Sequence, residues 1–430
     1  MQKIGWKTAT ALVIANMIGA GVFTSLGVQL EYVHSPVLIL LLWALGGLMA
    51  LTGAWSYAAL GTIFKRSGGE YHFLSQLFHP ILGYLSGWVS ITVGFSASIA
   101  LAAMSVVEYL GPIGSSYGNW LAAGIVLLFA VVHSFSIKNS SLFQQGITWL
   151  KVLAIICFII CGLWCTKDLQ WQNLRVTDMD GSGSLGVAFA FVCFAYSGWN
   201  AAAYISDEIK DLRTNLPKAL LIGTIVVCFL YLLLHLVFFL TTDLAALNGQ
   251  IDVGKIVANN IWGPNGASWM SFIIIIILLS SLSGMLWVGS RVTQVIGEDY
   301  RIWRRYAKLN SKQVPVRAIW LQALISIGFI FSGSFEQVLI YSSFIIQLFS
   351  LLAVIGLVRY RWRAQKNSDT FRSPYFPIPQ FIFILINLWV LMYLLVDKPR
   401  ESSLGLISVV LALLTYYINQ RLFKPSNQKT

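Results

Sequence analysis

Twelve apolar runs account for almost the whole chain: about 8–30, 37–62, 80–108, 119–137, 145–165, 185–208, 217–240, 267–296, 318–333, 336–358, 378–396 and 403–422. Each is long enough, or nearly so, to carry a helix across the roughly 30 Å of hydrocarbon in a bilayer. A segment in lipid must satisfy its own backbone, and these runs are continuous rather than alternating, so they read as helices and not barrel strands. A soluble protein of 430 residues would need polar side chains to cover its surface, yet 11% of the residues are charged and 57% are hydrophobic. The fold class expected is therefore an all-α membrane protein with twelve transmembrane helices. The first run follows Lys3 and Lys7 as a signal peptide would, but it continues past the usual length without a small-residue cleavage site and is read as a retained helix.

Lys and Arg near helix ends stay on the cytoplasmic side. With the N-terminus inside, all but six of the 29 Lys and Arg fall in cytoplasmic segments or tails, which predicts both termini inside and a cell (inner) membrane location. The same asymmetry explains the net charge of +12, so no nucleic-acid partner is expected. The longest polar stretches, about 297–316 and 359–377, are cytoplasmic connectors, leaving one integral membrane domain across 1–430. Cys157, Cys161, Cys165, Cys193 and Cys228 lie in or at the ends of apolar runs; the first three share a helix face, but without His or carboxylate company they read as small packing residues, and no metal site is expected.

Two runs carry a glycine-bearing polar interruption near the centre: MIGAGVF at 17–23 and FAYSGWN at 194–200. Such a break survives in hydrocarbon only where it is buried in protein or lines a wet cavity. A broken helix presents free N–H groups and partial positive charge on one side, and carbonyls with partial negative charge on the other. Two facing breaks would thus hold the carboxylate and ammonium of a zwitterion without charged side chains. Glycines that merely let helices pack closely would look the same in run 1; the matching break in run 6 tips the reading toward a site. The two runs lie five crossings apart and so point opposite ways. That is the condition for inverted five-helix repeats, about 8–165 and 185–358, followed by two additional helices at about 378–422.

These stretches are similar to those of the amino acid, polyamine and organocation transporter superfamily, and most of all to its L-type amino-acid transporter branch. IGAGVF at 18–23 resembles the family's helix 1 break. FAYSGWNAAAYISDEIKDLRTNLPKAL at 194–220 resembles helix 6 and its loop, SGGEYHFL at 67–74 the loop before helix 3, and FRSPYFPIP at 371–379 the one before helix 11. The resemblance implies a five-plus-five inverted-repeat fold with helices 1 and 6 discontinuous, alternating access and no cofactor. It implies substrate contacts at Met17, Ile18, Gly19, Ala20, Gly21, Phe194, Ala195, Ser197, Gly198 and Asn200. The amides of Ala20 and Gly21 would meet the carboxylate, and the carbonyls of Met17, Phe194 and Ser197 the ammonium. Phe194 would close the outer route as a lid, and Asn200 would support the site or the helix 6 bend. Lys151, in ITWLK, matches the lysine that fills the sodium position of sodium-coupled relatives, which implies sodium independence; the alternative is a lysine snorkelling to the cytoplasmic face. Of the helix 8 serines 280, 281 and 283, Ser283 is the choice to face the site or Lys151.

The chain also departs from the family's pattern. Ala20 stands where serine is usual, which keeps the backbone donor and loses a hydroxyl; Asp211-Leu212 replaces Asn-Pro, and the loop after helix 8 lacks Gly-x-Leu-Pro. The outer loop near Gly111 to Gly118 has no cysteine, so no disulfide-linked accessory chain is expected. The function implied is sodium-independent exchange of neutral L-amino acids, with a proton-coupled amino acid or amine symporter as the rival on the same fold. An intramembrane enzyme would need a histidine beside an acid; His133 and His235 have no acidic companion on their own helices. Asp207 and Glu208 fall at the cytoplasmic end of helix 6, where they read as a solvated helix end, with pairing to basic loops in an inner gate as the alternative.

Overall fold

The computed structural model describes residues 3–111, 117–135, 140–174, 184–363 and 370–422. Its helices follow the apolar runs. The first crossing is split into α1 (Trp6–Met17) and α2 (Ala20–Tyr32), and α3 is Pro36–Ile63. Short α4 (Glu70–Leu77) leads into the third crossing, α5 (Pro80–Val89) and α6 (Ser96–Leu110), joined by a π-helical turn over Ser90–Phe95. Then come α7 (Gly118–Phe135), α8 (Ser140–Cys165) and α9 (Leu185–Tyr196). A four-residue turn and a 3-10 segment, Ala201–Glu208, complete the sixth crossing. The rest is α10 (Leu212–Thr241), α11 (Leu244–Leu247), α12 (Val253–Asp299), α13 (Val316–Ser332), α14 (Phe335–Arg363), α15 (Ile378–Asp397) and α16 (Pro399–Leu422).

Eleven spans among the described residues are long and apolar enough to cross a membrane. The ninth run, 318–333, forms α13, an apolar helix of 17 residues that falls just short. Two features were hidden from the hydrophobic pattern. The eighth run is the later part of α12, whose backbone leaves helical geometry at Gly263 (φ +72) beside Pro264. The third crossing carries the π-turn, a local widening often found at functional sites.

Burial shows which crossings are central. The most apolar stretch of the first crossing is 100% buried and that of the sixth 83%, against 28% for α7 and 22% for α16. The first and sixth crossings are therefore wrapped by the others, and the exposed faces of α7, α8 and α16 are the apolar outer surface that lipid would cover. Cys157, Cys161 and Cys165 lie on that exposed surface. Trp43, Tyr57, Tyr196 and Tyr231, all fully buried, pack around the two central crossings.

Candidate substrate site at two facing helix breaks

The first crossing stops being helical for two residues. Ile18 is extended (φ −75, ψ 93), Gly19 takes φ −137 and ψ −148, and α2 restarts at Ala20. The last carbonyls of α1 and the first amides of α2 therefore have no partner within their own helices. Three other helices reach in for the carbonyls. Ser281 Oγ of α12 donates to Ala15 O at 3.2 Å, Tyr231 Oη of α10 to Met17 O at 2.6 Å, and Lys151 Nζ of α8 to Ile18 O at 3.3 Å. Lys151 is 1% exposed, so it does not snorkel. The amides of Ala20 and Gly21 open the second half-helix, where no earlier turn exists to supply them with carbonyls.

The sixth crossing breaks more broadly. α9 ends at Tyr196, Ser197 turns away (φ −55, ψ 148), and Gly198 adopts φ +97, a left-handed geometry that favours glycine. A Cβ on Gly198 would lie 2.8 Å from the carbonyl carbon and oxygen of Asn16, and one on Gly21 would lie 2.5 Å from Ala195 Cα. The two breaks thus meet backbone to backbone, above and below the same level. Tyr231 Oη stitches them, lying 2.6 Å from Met17 O and 3.1 Å from Ala195 O, the exposed carbonyl ends of both first halves.

A cavity opens on the side of the breaks that holds the N-terminal half of the first crossing. Asn16, Glu70, Ser197, Gly198, Asn200 and Tyr204 line it, opposite the π-turn of the third crossing. Asn200 Nδ2 donates to Glu70 Oε1 at 2.8 Å, which ties the sixth-crossing break to α4. Phe194 is not on this wall. Its side chain, 6% exposed, lines a smaller cavity behind the turn with Ser343, Gln347 and Ser350, and its carbonyl accepts from Ser197 N–H at 2.9 Å. Gly19, Ala20, Gly21, Met17 and Ile18 are all buried at the break.

Ser283, the helix 8 serine expected to face the site or Lys151, has its hydroxyl 2.8 Å from His133 Nε2 on α7. Ser281 takes the position expected of it, because two residues turn about 200° around a helix and face opposite sides. A Cβ on Gly19 would come within 3.0 Å of Ser281 Oγ. His235, with Nδ1 2.8 Å from Tyr231 O and its ring stacked on Trp43 at 3.8 Å between centroids, braces the tyrosine rather than facing the cavity. Glu70, Tyr231, Asn16 and Ser281 are the site residues that sequence reasoning passed over.

Polar ties hold both ends of the bundle. At the N-terminal end, Arg66 pairs with Asp299 at 2.9 Å and Tyr71 Oη donates to Asp299 at 2.5 Å. Burial opposes the Arg66 charge, but Asp299 outweighs it and raises the pKa. The Asp207 carboxylate accepts from Ser67 N–H at 3.0 Å. Glu208 offers its carbonyl to Ile4 N–H at 2.7 Å, part of a single parallel bridge between Ile4 and Ile209 that fastens the two central crossings together. At the far end, Lys398 Nζ lies 3.0 Å from both Glu336 Oε1 and Tyr32 Oη. Burial works against the Lys398 charge, yet Tyr32 and Glu336 push its pKa up to about 12. The outer connection at 112–116, which bears on the accessory-chain expectation, lies outside the described residues.

Comparison with known proteins agrees with this geometry. The amino acid permease family matches residues 4–417. The b(0,+)-type amino acid transporter 1 of Mus musculus is 27% identical, with 97% of this chain and 87% of that protein aligned. The serine/threonine exchanger SteT of Bacillus subtilis (strain 168) is 26% identical over 97% of this chain and 96% of its own length. The cystine/glutamate transporter of Homo sapiens is 25% identical over 97% and 85%. A match across nearly the whole chain, on a helical bundle with two facing breaks at its centre, settles the class: the chain is a multi-pass membrane transporter, not an enzyme, and it belongs to the amino acid permease family within the amino acid, polyamine and organocation superfamily.

Proposed function

We propose that this protein exchanges neutral L-amino acids across the cell (inner) membrane without sodium, by alternating access, with both termini cytoplasmic. The observation that carries the reading is the pair of facing breaks. The amides of Ala20 and Gly21, at the start of a half-helix, suit a carboxylate, while the carbonyls of Met17 and Ser197 suit an ammonium. Lys151 supports sodium independence, since its ammonium already donates to Ile18 O, a carbonyl that a sodium ion would otherwise coordinate. The relatives named as amino acid transporters and as a serine/threonine exchanger support the cargo class and the exchange mode. Two inverted repeats, 8–165 and 185–358, would place the breaks at equivalent depth from opposite faces. The chain is proposed to act without a disulfide-linked accessory chain.

The test uses purified protein alone in liposomes loaded with single amino acids. Exchange predicts labelled uptake that requires internal amino acid and is the same with sodium or potassium outside. Uptake into empty liposomes, driven by a sodium gradient, would defeat the proposal.

A further inference from the structure

Glu70 is the first residue of α4, set there by the Gly68-Gly69 turn with φ of +120 and +56, and it is 3% exposed. Its two carboxylate oxygens are treated very differently. Oε1 accepts from Tyr57 Oη at 2.6 Å, Asn200 Nδ2 at 2.8 Å and Ser350 Oγ at 3.4 Å. Oε2, shut off from solvent, accepts from nothing among the described residues. None of the ion pairs found among those residues involves Glu70. A buried carboxylate held on one oxygen by neutral donors and bare on the other lacks full compensation for its charge, a costly arrangement. The same side chain lines the central cavity beside Asn16 and Gly198, so whatever compensates it acts at the substrate site.

We propose that Glu70 is a proton-binding site of the transport cycle: Oε2 takes one proton from hydronium, which is left as water, forming an O–H bond and a neutral carboxyl group, while Oε1 remains anchored to Tyr57 and Asn200. The facing groups are Tyr57 from α3, Tyr204 from the 3-10 segment, Asn200 from the turn and Ser350 from α14, with Ser86 and Ser90 on the adjoining wall of the third crossing. The only titratable groups among these are phenols, which ordinarily ionise near pH 10. Glu70 is the carboxyl group that they surround. Because Asn200 belongs to the sixth-crossing break, loss of the proton alters the hydrogen bonding that holds that break against α4, and exchange slows. This rests on amino-acid exchange as proposed above, with Glu70 adding a dependence on pH.

The experiment measures exchange of a labelled neutral amino acid by the full chain in liposomes, buffered equally on both sides, from acid to alkaline pH. The expected result is a rate that falls as pH rises in the parent, a flat profile in Glu70→Gln, and a displaced fall in Glu70→Asp. Infrared difference spectra on alkalinisation should show loss of a protonated-carboxyl carbonyl band in the parent, and no such band in Glu70→Gln, which reports on the residue even if a variant transports poorly. Equal profiles in parent and Glu70→Gln, or an unchanged band, would overturn the proton site and leave amino-acid exchange standing. Selective loss of lysine and arginine uptake in Glu70→Gln, at every pH, would assign the carboxylate to a cationic cargo side chain instead. Absence of any amino-acid exchange in the parent would remove the underlying reading rather than this one.

Discussion

The two breaks at the centre of the molecule are built in opposite ways. In the first crossing the interruption is two residues wide with α-helix on both sides, and its freed carbonyls are held by side chains from α8, α10 and α12. In the sixth, the chain turns through Ser197–Asn200 and continues as 3-10 helix, bonding itself as it goes: Ser197 N–H to Phe194 O, Ala201 N–H to Gly198 O, Ala203 N–H to Asn200 O. One break depends on its neighbours and the other largely satisfies itself. The first is therefore the one that a rearrangement of the surrounding helices would disturb, and the second is a bend held largely by its own backbone.

The largest effect should come from glycines at the contact between the breaks. Gly21→Ala puts a methyl 2.5 Å from Ala195 Cα, and Gly198→Ala adds a methyl 2.8 Å from the Asn16 backbone at a φ that L residues avoid. Each should abolish exchange and lower the stability of the detergent-solubilised protein by about 1–3 kcal/mol. Gly19→Ala is the matched control, because its methyl meets the movable Ser281 hydroxyl at 3.0 Å; it should keep most of its exchange activity. If all three behave alike, the backbone contact between the breaks is not what positions the site.

Next in size is Lys151→Ala, which leaves Ile18 O without its donor in a dry setting. Loss of a charged donor to a buried group costs about 1.5–3 kcal/mol, so initial exchange rates should fall roughly tenfold to a hundredfold. Tyr231→Phe should be milder, about tenfold or less, since one neutral hydroxyl is removed and the ring stays packed against Trp43 and Tyr196. Should Tyr231→Phe prove worse than Lys151→Ala, the stitch between the breaks matters more than the ammonium. Labelled counterflow over the first seconds reads both.

Much of this was legible from residues 17–23 and 194–200 alone, because glycine and polar groups inside an apolar run can only mean a packing contact or a break. Lys151 was legible for the same reason: a charge within a crossing demands a partner. What the chain concealed is whatever depends on rotation or long-range contact. Ser281 and Ser283 are equivalent as letters, and only the packed angle of α12 sends one to Ala15 and the other to His133. Tyr231 reads as an ordinary apolar-run aromatic until α10 is laid beside both breaks. Glu70 was read as part of a loop before helix 3, since nothing local says that the Gly68-Gly69 turn tucks it beneath Asn200. The π-turn at Ser90–Phe95 leaves the hydrophobic pattern unchanged and so leaves no trace in it.

The smallest effect concerns the end of the bundle away from the N-terminus, where Lys398, Glu336 and Tyr32 tie the second half of the first crossing to α14 and the α15–α16 turn. These groups are partly open to water, so the pair is worth about 1 kcal/mol at most after screening. Lys398→Met should lower thermal stability by no more than that, and salt should shrink the difference further. Lys398 has a pKa raised to about 12 in the folded protein, so its contribution is complete below the unfolded lysine value of roughly 10.4 and disappears as pH rises through about 12. The Lys398 charge is therefore unchanged from acid to moderately alkaline pH, and its own titration supplies no pH dependence there. A Lys398→Met variant that loses the parent's pH dependence of exchange as fully as Glu70→Gln would show that the far end, and not the site between the breaks, sets the response to protons.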